Sequence, residues 1–380
     1  MFENPGFIFW PVGTGDSTTI VVDEETIFQL DIRHLGKSED DEDDHAAIVD
    51  KLEESLPQKD GNPYLAAFAL THPDKDHVQG FAELLDRVEI GELWFTPRVF
   101  REHEDDFCDD AVAFREEAHR RVTETIKAGG DPGAGNRVRL IGYDELLAEE
   151  HYTGFPEQFF TTPGNLVTML DGEDRAGKFQ AFIHGPFKDD SVGDRNDTSL
   201  AMQVVLGDDA SIGGVLLFGD LKYPTIRKIF DVTKEHGNDQ YLSWQVLLAP
   251  HHCSKSVMYQ DEDGKTVLKQ DILDDFTDTQ VDNGYIVSSS EKVPSSDSDG
   301  ANPPHAKAKA RYEEIAKGGF ICTQEDGEAG EPLIFSAGED GDIAYALDAN
   351  SDGENSLAAA VKAARGSDDP PSQKVGFGEF

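Results

Sequence analysis

The chain has 380 residues, 38% of them hydrophobic, with 76 acidic against 33 basic side chains and a formal net charge of −43. That length can bury a sizeable core as one large α/β domain or two smaller ones, and the charge repels long polyanions and anionic lipid wherever no basic or metal-filled trough offsets it. Three widely spaced cysteines, Cys108, Cys253 and Cys322, support neither a disulfide framework nor a thiolate zinc site, and no apolar run approaches the ~20 residues of a membrane span.

The start carries no basic leader segment, so a cytoplasmic protein with no membrane partner is expected. Acidity of this order fits either a chain adapted to high salt or an acidic cytosolic protein with a disordered tail.

Residues 6–23 read as a hairpin, with Phe7-Ile8-Phe9-Trp10 and Thr18-Thr19-Ile20-Val21-Val22 as strands around Gly13-Thr14-Gly15-Asp16-Ser17. The two glycines are read as a turn rather than a phosphate cradle, because no helix follows. A third strand over 26–32 carries Asp31 near its end, 38–44 is an acidic solvated run, and 46–56 is an amphipathic helix closed by Pro57. The apolar run 64–70 has the length of a buried strand. It empties into Thr71-His72-Pro73-Asp74-Lys75-Asp76-His77, read as a strand-to-helix loop, and Phe81-Ala82-Glu83-Leu84-Leu85 begins the helix. After a strand at 92–96, the polar helical stretch 102–127 reads as an insertion into the core fold, and 129–135 as a Gly/Pro loop.

Strands are expected at 137–143, 166–170 and 179–183, the last running into His184-Gly185-Pro186. A second dense stretch of sheet follows. Strands at 199–206, 214–218 and 244–248 are expected, the second ending in Gly219-Asp220 and the third in Pro250-His251-His252-Cys253-Ser254-Lys255. Helices at 223–230 and 305–317, strands at 283–288 and 319–323, and a hairpin over 332–336 and 342–347 complete the domain, placed at 1–348. The Asp/Gly/Ser/Pro-rich tail, 349–380, is expected to be disordered apart from a short helix at 357–364.

Three segments share one grammar: an apolar strand, then metal-type residues at its end. They are Leu70 into His72, Asp74, Asp76 and His77; Phe218 into Asp220; and Leu248 into His251 and His252. Taken singly, Gly-Asp after a strand is a turn, and His-His after proline is an ordinary loop pair. Four ligand-type residues in six positions are different, since burying them together is costly without a cation. Ends of neighbouring strands lie side by side, so ligands distant in sequence can meet at one rim.

These motifs resemble the metallo-β-lactamase superfamily, with its His-x-His-x-Asp-His signature and later strand-end ligands. More narrowly, they resemble the nuclease-type domain of the ComEC competence proteins in stand-alone form, where aspartate replaces the second histidine, as in His72-Pro73-Asp74-Lys75-Asp76-His77. Val12-Gly13-Thr14-Gly15-Asp16, Asn196-Asp197-Thr198-Ser199, Phe218-Gly219-Asp220 and Pro250-His251-His252-Cys253-Ser254 follow that branch in order, with cysteine where it has glycine. Asn302-Pro303-Pro304-His305 stands where it carries an Asn…His-Pro segment, without the proline after the histidine.

The resemblance implies an α/β fold of the αββα four-layer type, two mixed sheets with outer helices, and two divalent metal ions, manganese or zinc. One ion would take His72 and Asp74; the other would take Asp76, His77 and one of His251 and His252, with His252 favoured and Asp220 bridging. The first ion's third histidine has no clear counterpart, and Asn196 and His184 lie in the right region. Two ions ~3.5–4 Å apart lower the pKa of a shared water and clamp the attacking and leaving oxygens, which suits in-line attack on phosphorus. Catalytic roles fall to Asp76, Asp220 and His305, the last as proton donor to a leaving group. Asn196, Ser254 and Lys255 would bind substrate, and Asp31 and Asp16 would orient the histidines.

The expected activity is a metal-dependent phosphodiesterase or nuclease. The negative charge and the lack of a basic, aromatic stripe favour the alternative of a small phosphoester or cyclic nucleotide as substrate. A non-catalytic scaffold is the reading from another class, and the near-complete ligand set argues against it.

Overall fold

The computed structural model describes residues 2, 4–40, 42–101, 107–188, 196–327, 329–338 and 341–345. The expected tail, its short helix at 357–364, residues 346–347 of the last hairpin and residues 102–106 of the helical stretch lie outside them.

Short β-branched and aromatic runs build the first half: β1 (Gly6–Phe9), β2 (Thr18–Asp23), β3 (Thr26–Leu30), α1 (Ile48–Ser55), β4 (Gln58–Lys59) and β5 (Asn62–Ala69). Next come α2 (Lys75–Val78), α3 (Phe81–Arg87), β6 (Glu89–Phe95), α4 (Asp109–Ala128), β7 (Arg137–Ile141) and β8 (Phe160–Thr161). The second half holds β9 (Leu166–Val167), β10 (Met169–Leu170), β11 (Glu173–Asp174), β12 (Gln180–Gly185), β13 (Ala201–Val205), β14 (Gly214–Leu217), α5 (Tyr223–Glu235), β15 (Trp244–Leu248) and α6 (Pro250–Cys253). It closes with β16 (Tyr259–Glu262), β17 (Lys265–Leu268), α7 (Gln270–Thr279), β18 (Gln280–Ser288), α8 (Ala306–Ile315), β19 (Gly319–Cys322), β20 (Leu333–Ala337) and β21 (Ile343–Tyr345).

The first sheet runs β21-β20-β1-β2-β3-β5-β6-β7-β8, antiparallel as far as β3 and parallel from β3 onward. The second runs β19-β18-β15-β14-β13-β12-β9, parallel from β19 to β14 and antiparallel beyond. Strand alternation sends one face of each sheet inward. Phe7, Phe9, Phe28, Ala67 and Trp94 of the first meet Ala181, Met202, Val215, Val246 and Val287 of the second in one buried cluster. The first sheet's other face packs Phe68, Leu93 and Phe95 under Val49, Phe81 and Phe114 of α1, α3 and α4. The second sheet's other face packs Leu216, Trp244 and Ile286 under Ile229, Phe276 and Tyr312 of α5, α7 and α8. Helix, sheet, sheet, helix is the four-layer αββα arrangement with two mixed sheets.

Four local readings change. Helix α4 is an integral outer helix: Ala111, Phe114, Ala118 and Val122, spaced three and four apart, are buried, and Phe114 packs on Phe68, Phe81 and Phe95. The expected strand 166–170 splits between β9, which joins the second sheet, and the β10–β11 hairpin. Between 256 and 283, where the sequence reading assigns no element, the chain forms the β16–β17 hairpin and α7. Finally, Asp76 and His77 lie on a helical turn, α2, inside what reads as a loop.

Candidate metal centre

The parallel strands β3, β5, β14 and β15 place their carboxyl ends at one edge of the sandwich. There Leu200 N–H donates to Thr71 O at 3.0 Å, joining the sheets. Asp31 follows β3 in a left-handed conformation (φ 54) and is fully buried. Its Oδ1 accepts from Thr71 N–H, and its Oδ2 accepts from Thr71 Oγ1 and from His77 Nδ1, all at 2.7 Å. The Thr71 hydroxyl proton is thereby spent, so its oxygen receives the Nδ1–H of His72 at 3.1 Å. Ser199, whose hydroxyl donates to Asn196 O, stands 3.3 Å from the same nitrogen and can only accept. Both imidazoles are held with Nδ1 protonated and the Nε2 lone pair turned into the site.

Asp220 is central. Its Oδ1 stands 3.2 Å from both His77 Nε2 and His252 Nε2. Its Oδ2 stands 3.6 Å from His251 Nε2 and 3.9 Å from His72 Nε2. Asp74 Oδ2 is 3.6 Å from His72 Nε2, and Asp76 Oδ2 is 3.5 Å from His252 Nε2. The Nε2 atoms of His72, His77 and His252 and the Asp220 Oδ1 are buried without a hydrogen-bond partner. An unmet buried donor or acceptor costs ~1–3 kcal/mol, and a cation among these atoms would satisfy all of them together. The residues therefore fit a metal, and ligand atoms of Asp16, His77, Asp220 and His252 lie within 4.8 Å of one another.

The electrostatics agree. Burial alone would raise Asp220 and Asp76, yet the surrounding histidines hold both carboxyls well below the usual range. Burial alone would lower His252, but Asp220, Asp16 and Asp76 outweigh it and raise it to about 10. His251 goes the other way, its imidazole lowered by burial despite Asp220.

The histidine pair reaches both oxygens of Asp220 because its backbone is left-handed. His251, His252 and Cys253 have φ of 52°, 52° and 63°, at ~1–2 kcal/mol per residue for side chains with a Cβ. The turn is tied down at several points. His251 N–H donates to Gly219 O at 2.9 Å and His305 N–H to Cys253 O at 3.1 Å. Lys255 N–H donates to His305 Nδ1 at 3.3 Å, and the other ring nitrogen, Nε2, lies 3.0 Å from Ala301 O. Three consecutive strained residues holding two potential ligands are strain of the kind that collects at functional sites.

The structure thus brings together His72, Asp74, Asp76, His77, Asp220, His251 and His252, with Asp31 and Asp16 behind them. It places other candidates elsewhere. Both ring nitrogens of His305 are taken by backbone groups, so its position is that of a clamp on the histidine turn. His184 lies within β12, its nitrogens facing Thr233 Oγ1 and Tyr241 O, and burial lowers its pKa to about 4. It lines a cleft with Tyr143, Phe187 and His236 that contains none of the cluster residues. Ser254 Oγ caps its own turn at Ser256 N, and Asn196 meets the site through Ser199.

One residue escaped the sequence reading altogether. Arg33 donates to Thr14 O, its Nε is buried without a hydrogen-bond partner, and the charges it feels most are Asp76 and Glu291. Gly15 makes room for it, since a Cβ there would also stand 2.6 Å from Asp76 O. No spacing signal marks an arginine two residues past a strand-end aspartate.

No family model and no curated protein matches the chain. Among solved structures, the metallo-beta-lactamase fold protein YhfI from Bacillus subtilis resembles it at 11% identity and a TM-score of 0.37, over 87% of this chain and all of that one. Among the described residues, no helix is long and apolar enough to cross a membrane.

Proposed function

We propose that the chain is a binuclear metal-dependent hydrolase acting on phosphodiesters. The observation that carries this reading is the Asp220 carboxylate, with Oδ1 facing His77 and His252 and Oδ2 facing His72 and His251. On this reading one ion would be held by His72, Asp74 and His251 and the other by Asp76, His77 and His252, with Asp220 common to both. His251 then takes the third place on the first centre, for which Asn196 and His184 were the sequence candidates. Four imidazoles and three carboxylates admit manganese and zinc alike.

Divalent ions held as a pair supply Lewis acidity and water activated near neutral pH, a combination suited to displacement at phosphorus. The chain's own residues do the rest. Asp31 and Thr71 fix the tautomers of His77 and His72, and Asp16 faces His252 Nδ1 at 3.3 Å. Burial lowers the Arg33 pKa while Asp76 and Glu291 oppose the shift, and beside Asp76 its fork of donors would hold a phosphoryl oxygen. The resemblance of their motifs is what supports Asn196, Ser254 and Lys255 as substrate-binding groups. The resemblance of the motifs to the ComEC nuclease-type domain supports the phosphodiester. The net charge of −43 favours a small ester, such as a nucleotide or cyclic nucleotide, over a long nucleic acid.

The test is turnover of bis-p-nitrophenyl phosphate with added manganese or zinc. Asp220→Ala is expected to lose more than about a hundredfold, since even groups that only orient ligands are worth 10–100-fold. An Asp220→Ala variant as active as the wild type overturns the reading. Single-stranded DNA and nucleotides compared across salt then separate the substrates: DNA left intact at every salt while nucleotides are hydrolysed selects the small ester.

A further inference from the structure

We propose that His34, Glu39 and Glu83 form a separate divalent-cation site that shares no residue with the Asp220 cluster. His34 is 5% exposed, yet neither of its ring nitrogens has a hydrogen-bond partner. Its Nε2 points between two carboxylates, 3.6 Å from Glu39 Oε1 and 3.9 Å from Glu83 Oε2. A charged hydrogen bond would close to ~2.7–2.9 Å, as the 2.7 Å contact between His77 and Asp31 does in this same protein. Donor atoms sharing one ion with bonds of 2.0–2.2 Å stand about 3.4 Å apart in a tetrahedral shell. The spacing at His34 is that of ligands around a gap.

The fold prepares this gap from three directions. His34 N–H donates to Gln79 O at 2.7 Å, which fixes the backbone beside the start of α3. Gly80, at φ +99, lets the imidazole in, because a Cβ there would stand 2.5 Å from His34 Cβ. Glu83 sits in the first turn of α3 and gives its other oxygen, Oε1, to Arg87 Nη1 at 2.7 Å, leaving Oε2 toward His34. Glu39 ends the 3-10 turn Gly36–Glu39 and reaches in from the solvent side. One imidazole and two carboxylates suit zinc or manganese, with water completing the shell. A cation here ties the segment after Asp31 to the helix that follows His77, and so stiffens the support of the metal centre from behind.

The experiment counts zinc bound per chain after chelator stripping and equilibrium dialysis against zinc alone. It uses the full chain and the Glu39→Gln/Glu83→Gln pair, each in the wild-type and Asp220→Asn backgrounds. Both glutamates reach solvent, so the pair is expected to keep the Tm of the stripped wild type. The expected result is one equivalent fewer in the glutamine pair, with loss of the part of the zinc-induced rise in Tm that persists in Asp220→Asn. An unchanged zinc count in both backgrounds overturns the site. The Asp220→Asn background keeps the two readings apart, since a failed binuclear centre leaves the glutamine effect in place.

Discussion

Asp31 Oδ2 lies 2.7 Å from His77 Nδ1, with both side chains fully buried. This contact turns the His77 Nε2 lone pair toward Asp220, 3.2 Å away. Asp31→Asn keeps the shape but sets an amide against two groups that expect a carboxylate. The fold is expected to survive, while metal affinity falls by about 10–100-fold, read by competition with a chromogenic chelator. Unchanged affinity would show that Asp31 merely fills space.

Proton linkage follows from the charges around His252 and His77. Burial lowers both imidazoles, but Asp220 with Asp16 and Asp76 raises His252 to about 10, and Asp220 with Asp31 raises His77. A group raised on folding stabilises fully below its unfolded value, 6.5, and loses that contribution as pH rises through the folded one. The chelator-treated protein should therefore lose Tm between about pH 6.5 and about 10 on account of His252, and His77 acts in the same direction. Metal uptake must expel the same protons, so affinity should rise about one to two decades per pH unit. Metal affinity flat across that range would contradict the assignment.

Arg33 gives a substrate-side prediction. If its guanidinium holds a phosphoryl oxygen, Arg33→Ala raises KM and lowers kcat/KM by about 10–100-fold, the worth of a charge-assisted hydrogen bond. The zinc or manganese content should stay the same, since Arg33 donates no metal-binding lone pair. Loss of metal together with activity would mean that Arg33 supports Asp76 rather than substrate.

His305 separates a proton donor from a clamp. Glutamine can accept from Lys255 N and donate to Ala301 O, as the ring does between those groups, but it cannot transfer a proton. His305→Gln is expected to retain most activity with an unshifted pH–rate profile. His305→Ala is expected to lower Tm and activity together by releasing the strained turn. A basic limb that vanishes in His305→Gln alone would restore the acid role.

Much of the sandwich was legible because strand alternation and helix period are local. The strands ending at Ala69, Leu217 and Leu248 were visible in their apolar runs. Helix α7 was not, since Ile272, Leu273 and Phe276 are set among six acidic or threonine positions. Helix α4 was seen as a helix but not as a layer, because only Phe68, Phe81 and Phe95 show which face it buries.

Which residues stand at strand ends is written in the local pattern of the chain, and this alone brings His72, Asp74, Asp76, His77, Asp220, His251 and His252 forward as one set. Covalent adjacency and parallel strand packing are enough for that. Tertiary structure alone decided which histidine meets which oxygen of Asp220. That choice rests on the left-handed backbone at His251, His252 and Cys253, which no local propensity favours and which Gly219 and His305 hold from outside the segment. It rests equally on Asp31, which reaches His77 across 46 positions of chain only because β3 and β5 lie side by side.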